Sequence, residues 1–164
     1  MKLRAKAFTL VELLIVIVIL AVLCVLLATS YIKLASAARF NNAKTDIVNM
    51  IQKARSLALS NILINDDPDY PTEYYVLTLE ADEVTIDAYA SDGTHESLET
   101  LTLDSSFRFS SPIEAYYFPP YGAVCFNGET CADTSTSKTT TLTDTYSHTA
   151  TFTIDVNGGY VEVN

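Results

Sequence analysis

The hydrophobic pattern changes character twice along the chain. Residues 13–32 read LLIVIVILAVLCVLLATSYI, with no charge, no Gly and no Pro. Twenty such residues rise about 30 Å as an α-helix, enough to cross the hydrocarbon core of a bilayer. Beyond Ile32 the unbroken run becomes a stripe of Phe40, Ala43, Ile47, Met50, Ala54 and Leu57. Its alternating spacings of three and four describe one face of an amphipathic helix. Asn41, Lys44, Thr45, Asn49, Gln52, Lys53 and Ser56 fall on the opposite face. The first Pro is Pro68 and the first Gly is Gly93, so nothing breaks a helix running from Phe8 to about Asn61. At 1.5 Å per residue it would be roughly 80 Å long.

Residues 65–71 (NDDPDYP) end the helix, because Pro and consecutive Asp favour turns. The pattern then becomes that of strands. Residues 74–79 and 84–89 are rich in aromatic and β-branched side chains and predict a hairpin. Further strands are predicted at 98–103, 107–109, 115–118, 124–126, 150–156 and 160–163, the last two joined by Asn157-Gly158-Gly159. Pro119, Pro120 and Gly122 predict a turn. The Thr/Ser-rich tract 134–149 predicts a long loop or a loose pair of edge strands. The expected class is α+β, a long N-terminal helix packed on antiparallel sheets.

Charge is placed as unevenly as hydrophobicity. The chain has 164 residues and a net charge of −10, yet eight of its ten basic residues precede Ser56. Residues 56–164 hold 18 acids and only Arg108 and Lys138 as bases, a net of −16. Such a surface argues against nucleic acid as a partner, since phosphate backbones need clustered Lys and Arg. Lys2, Arg4 and Lys6 ahead of the apolar run favour a cytoplasmic N-terminus and an exported C-terminal region, an asymmetry that Lys33, Arg39 and Lys44 weaken. The length excludes a large multidomain enzyme. No Ser-His-Asp spacing, phosphate loop or catalytic metal motif occurs, so neither an enzyme nor a cofactor is expected.

At the start of the apolar run the sequence reads Lys6-Ala7-Phe8-Thr9-Leu10-Val11-Glu12-Leu13-Leu14. Over roughly residues 4 to 30 this resembles the signal of type IV prepilins and type II secretion pseudopilins. The resemblance implies cleavage between Ala7 and Phe8 by prepilin peptidase, N-methylation of Phe8, and an assembly role for Glu12. Gly usually precedes the cut in that family; Ala7 stands there in this chain. Apart from the resemblance, a carboxylate at the head of an apolar helix is costly in lipid and calls for a partner. Two partners remain open, the α-amino group of Phe8 on a neighbouring subunit and a capping box in which Glu12 returns to the backbone N–H of Thr9. Three further segments, Ala54-Arg55-Ser56-Leu57-Ala58, Phe118-Pro119-Pro120-Tyr121-Gly122, and Thr151-Phe152-Thr153-Ile154 with Gly158-Gly159-Tyr160-Val161, resemble the GspH/FimT family of minor pseudopilins and minor pilins. The implied fold is type IV pilin-like. The implied partners are other pilin or pseudopilin subunits, prepilin peptidase and an inner-membrane assembly platform.

Other segments carry weaker signals. Ala35-Ser36-Ala37 matches the small-x-small pattern of an ordinary signal peptidase site, and a cut after Ala37 would release a soluble acidic protein. Cys24 reads as a membrane-helix side chain. Cys125 and Cys131, with five residues between them in an exported domain, either form a local disulfide or remain free thiols. His95 and His148 lack zinc-ligand spacing with them. Asp66, Asp67 and Asp69, like Asp82, Glu83 and Asp87, are weak Ca²⁺ candidates that read better as solvated turns. Tyr70, Tyr74, Tyr75, Tyr116, Tyr117 and Tyr121 could contribute to a binding patch, although half-buried strand packing explains most of them.

These readings divide the chain into a leader at 1–7, a transmembrane segment at 8–32, an amphipathic helix half at 33–62 and an acidic β-rich domain at 63–164. The expected protein is a single-pass inner-membrane component with an exported domain, filament-associated after assembly. As a minor pilin or pseudopilin it would prime a filament or sit at its tip. The alternatives are a tip module that binds a surface or DNA, and a secreted protein beginning at Ala38.

Overall fold

The computed structural model describes residues 10–60, 71–126, 137–156 and 159–164, apart from the Thr29 side chain. Most of the predicted stop at 65–71, together with Asn157 and Gly158, lies outside these residues. The fold is α+β. One helix, α1 (Leu10–Ser60), is followed among the described residues by nine strands: β1 (Thr72–Glu80), β2 (Glu83–Ala90), β3 (His95–Thr102), β4 (Arg108–Phe109), β5 (Ile113–Phe118), β6 (Ala123–Cys125), β7 (Lys138–Thr143), β8 (Thr149–Ile154) and β9 (Val161–Val163). They form antiparallel sheets in the orders β3-β2-β1-β5-β6 and β4-β7-β8-β9. The predicted 74–79/84–89 hairpin is β1-β2, with Leu77 opposite Ile86.

The chain divides into two units, Met1–Arg39 and Phe40–Asn164. In the first, α1 carries its apolar run unburied. In the second, residues 40–60 of α1 and both sheets share one core. Phe40, Ala43, Ile47, Met50 and Ala54 are buried as the stripe predicts, and the buried face is wider than that stripe because Ile51 and Ala58 join it. They complete a 47, 51, 54, 58 series on the same side of the helix. Leu77, Leu79, Val84, Ile86 and Tyr117 meet this face from the first sheet, and Leu142, Phe152 and Ile154 complete the core from the second. Phe40 lies between Phe107 and His148, at ring distances of 6.2 and 5.5 Å.

The Thr/Ser-rich tract departs from expectation. Its residues 138–143 form β7, an inner strand hydrogen-bonded to β4 on one side and β8 on the other. Low complexity conceals an alternation: Thr140 and Leu142 point inward and are buried. Thr139 and Thr141 point outward, their hydroxyls 3.3 and 3.4 Å from those of Thr153 and Thr151. β-branched Thr suits a strand, and cross-strand Thr pairs add to its stability. The buried Thr140 hydroxyl donates to the Ser111 carbonyl at 2.8 Å and accepts from the Ser111 N–H at 3.4 Å, so it adds no unsatisfied polar group to the core.

After β7 the chain turns through Asp144, whose carboxylate accepts from the Tyr146 and His148 backbone N–H groups at 2.9 and 2.8 Å and pairs with the His148 ring at 2.7 Å. Burial opposes its ionisation, but the hydrogen bonds from the His148 ring, its backbone and Tyr146 outweigh burial and hold the carboxyl below its ordinary range. A depressed folded-state pKa stabilises the protein above the unfolded value, about 3.9, and that contribution is lost as pH falls through the folded value. Denaturant titrations at a series of pH values should show the stability advantage of the native protein over Asp144→Asn at neutral pH shrinking below about pH 4.

Two glycines with positive φ make a paired test of the packing. At Gly159 (φ 64°) an added Cβ would lie 2.6 Å from Tyr117 Cε1 and 2.7 Å from Val124 Cγ2, whereas at Gly93 (φ 84°) it would meet nothing within 4 Å. Gly93→Ala should cost only the left-handed backbone penalty, about 1 kcal/mol. Gly159→Ala adds overpacking to that penalty and should cost about 2–4 kcal/mol by equilibrium unfolding. Equal losses at the two positions would contradict this packing.

Candidate functional site

The first unit presents an apolar surface that is left uncovered among the described residues. Leu13, Ile15, Ile17, Ile19, Leu23, Leu26 and Leu27 are each about half exposed or more, and none of the most apolar eighteen residues of the helix is buried. The helix closes its backbone hydrogen bonds within itself, the condition for a segment in lipid. Ser30, a polar interruption near the end of the run, turns its hydroxyl back to the Leu26 carbonyl at 3.3 Å. Cys24 is exposed on this surface as a free thiol. Among the described residues α1 is long and apolar enough to cross a membrane.

Glu12 lies in the first turn of α1 and is exposed. A carboxylate there faces the positive end of the helix dipole. Ala7, Phe8 and Thr9 lie outside the described residues. Ala35, Ser36 and Ala37, the alternative cleavage pattern, are in mid-helix, where Ser36 is buried and its hydroxyl donates to the Lys33 carbonyl at 2.9 Å. Proteolytic nicking favours exposed loop tips over such a segment.

In the second unit the three motifs that reinforced the family resemblance converge. Arg55, from the helix motif, stacks its guanidinium 4.1 Å above the Tyr160 ring. Gly159, beside Tyr160, permits the backbone to close on Tyr117 and Val124. Gly122 ends the Pro119-Pro120 turn with positive φ, its N–H donating to the Phe118 carbonyl at 2.9 Å, and a Cβ there would lie 3.2 Å from Leu59. Tyr117 is fully buried, and its hydroxyl has no hydrogen-bond partner among the described residues. Burial raises its pKa strongly, against the lowering influence of the Arg55 charge. These residues fasten the end of α1 to both sheets; their arrangement is one of packing.

The remaining candidates are dispersed. Arg108 and Lys138, the two bases after Ser56, fall at opposite ends of β7: Arg108 pairs with Thr143 and Lys138 with Ile154. Five residues of strand put them roughly 17 Å apart, too far for a local basic patch. Lys53 pairs with Glu99. Asp82 lies in the β1-β2 turn, Glu83 opens β2 opposite Glu80, His95 stacks on Tyr89, and Asp66, Asp67 and Asp69 lie outside the described residues. No three His, Cys, Asp or Glu side chains among the described residues gather as a metal site. Tyr74, Tyr75 and Tyr117 are buried, whereas Tyr121 is exposed. Cys125 is buried and disulfide-bonded; Cys131 lies outside the described residues.

Residues 2–28 match the prokaryotic N-terminal methylation motif. The motif indicates a type IV pilin-like protein processed by prepilin peptidase and assembled with other pilins, and it points to a structural subunit rather than an enzyme. With the apolar helix it fits a membrane-anchored pilin. No curated protein and no solved structure is significantly similar to the chain.

If Cys131 closes the disulfide of Cys125, alkylation of the unreduced, denatured protein should label one thiol, Cys24, and alkylation after reduction all three cysteines. Cys125→Ser should cost about 2–3 kcal/mol in unfolding experiments, the expectation for so short a loop. Labelling of Cys131 without reduction would exclude this pairing.

Proposed function

We propose that the protein is a minor pilin or pseudopilin, a low-copy subunit of a type IV pilus or a type II secretion pseudopilus, similar to the GspH/FimT family. The observation that carries this reading is a methylation motif at residues 2–28 leading directly into an unburied apolar helix. The motif supports cleavage between Ala7 and Phe8 and methylation of Phe8. The leader is then 1–7, the span 8–32, the amphipathic half 33–62 and the exported domain 63–164. The convergence of Arg55, Gly122, Gly159 and Tyr160 supports the narrower assignment, because three short motifs distant in sequence meet in one packing cluster.

In this reading Glu12 works through its charge. A carboxylate carried into hydrocarbon costs several kcal/mol unless paired, and the methylated amino group of Phe8 on a neighbouring subunit supplies the cation. The pair sets the axial register between subunits while the helices bury their apolar surfaces on one another. Low-copy placement at a filament tip also gives the acidic domain an exposed position in which a binding role can operate.

Mass spectrometry of the protein from its own host should find a mature chain beginning at N-methylated Phe8. Ala7→Gly should leave the cleavage site unchanged and raise the processed fraction. Glu12→Ala should insert in the membrane at native levels and fall at least tenfold in the sheared filament fraction. An N-terminus at Ala38, or normal incorporation of Glu12→Ala, would overturn the proposal.

A further inference from the structure

The first sheet has a second face that the core does not use. Because side chains alternate along a strand, the burial of Tyr75, Leu77 and Leu79 in the core puts Tyr74, Val76 and Thr78 on the opposite side. The register sets Tyr89 beside Tyr74 and Asp87 beside Val76 on the β2 flank. On the β5 flank it sets Tyr116 beside Val76 and Glu114 beside Thr78.

A row of rings crosses four strands on this face. His95 stacks on Tyr89 at 5.3 Å, Tyr89 stacks on Tyr74 at 5.0 Å, and Tyr74 meets Tyr116 and Phe118, each at 5.7 Å. Tyr89, Tyr116 and Phe118 remain partly exposed. Between the rings lies an open groove of about 150 Å³, with Asp87 on one flank and Glu114 on the other. The Tyr116 hydroxyl donates to Glu114 at 3.3 Å. No Lys or Arg lines this groove.

Size and charge narrow the occupant. Cofactors and drug-sized ligands need cavities of roughly 300 Å³ or more, so this groove takes a single side chain. The partly exposed Tyr116 ring, which stands outside the parallel His95-Tyr89-Tyr74 stack, and two carboxylates stabilise a cation, and the net charge of −16 beyond Arg55 attracts basic partners and repels anionic ones. Among biological cations a guanidinium is planar and can lie on a tyrosine ring while its N–H groups reach carboxylates at the edge; a lysine ammonium is a compact point charge without that geometry.

We propose that this groove binds an arginine side chain from a basic segment of a partner protein, seated against the Tyr116 ring between Asp87 and Glu114. The site belongs wholly to the second unit, so its test is independent of leader processing and filament assembly.

The test uses the full chain in detergent micelles with ¹³C-labelled tyrosine rings, titrated with the blocked tripeptide Gly-Arg-Gly and followed by NMR. The Tyr74, Tyr89 and Tyr116 signals should shift saturably, with a Kd in the range of about 1–10 mM expected of one side chain. Asp87→Asn combined with Glu114→Gln should weaken binding at least fivefold, and Tyr116→Leu should do the same by removing a ring. Unchanged Tyr75 and Tyr117 signals will show that these variants retain the core. Gly-Lys-Gly should bind at least threefold more weakly than Gly-Arg-Gly. Absence of saturable shifts, undiminished binding to the carboxylate-free variant, equal binding of the lysine peptide, or a response to glucose in place of the arginine peptide would each overturn the proposal.

Discussion

A run of twenty uncharged residues that no other segment buries among the described residues sets the terms for the rest of this protein. Each fully buried Leu, Ile or Val side chain is worth roughly 1.5 kcal/mol or more relative to water, so leaving residues 13–32 in water would cost on the order of tens of kcal/mol. That cost exceeds the whole net stability of an ordinary domain. Lipid removes that cost, in keeping with the fit to a membrane-anchored pilin. A continuous helix is the form that leaves no backbone group unsatisfied there, and α1 also turns the Ser30 hydroxyl inward to its own backbone.

The same helix meets different requirements beyond Arg39. From Phe40 it carries the core face of the β-rich unit, and the pattern narrows from all-round apolar to one side because only that side faces the sheets. Ala54 and Ala58, both fully buried, keep the contact close where larger side chains would hold the sheets off. Near its end Arg55 stacks on Tyr160 while Leu59 rests by the Gly122 turn. Segments roughly sixty to a hundred residues apart are thereby tied together through shape and a cation–π contact.

The charge asymmetry acquires a function on this framework. Bases are concentrated in the first 55 residues, whereas the sheets carry almost only acids. A region so acidic selects against anionic ligands at long range. Its two basic residues are held apart at opposite ends of β7, while two of its acids flank a groove among aromatic rings. The electrostatic preference of the surface is for cations, and the groove is where that preference acquires a shape.

The helix, its change from all-round to one-sided hydrophobicity, the first hairpin and the leader motif were legible in the sequence because each rests on local period or on a contiguous signal. Residues 13–32 need no knowledge of neighbours to be read as uninterrupted by charge or turn, and Asn157-Gly158-Gly159 announces a chain reversal by backbone chemistry alone. The inner strand β7 was not legible. Its Thr-rich composition resembles a loop, and only pairing with β4 and β8 separates inward Thr140 and Leu142 from outward Thr139 and Thr141. Nor could the sequence reveal that Gly159 faces Tyr117 and Val124, or that Tyr89, Tyr74 and Tyr116 align across three strands, since those relations depend on strand order and register. Local patterns determine what each segment can become; long-range pairing decides which side chains then become neighbours.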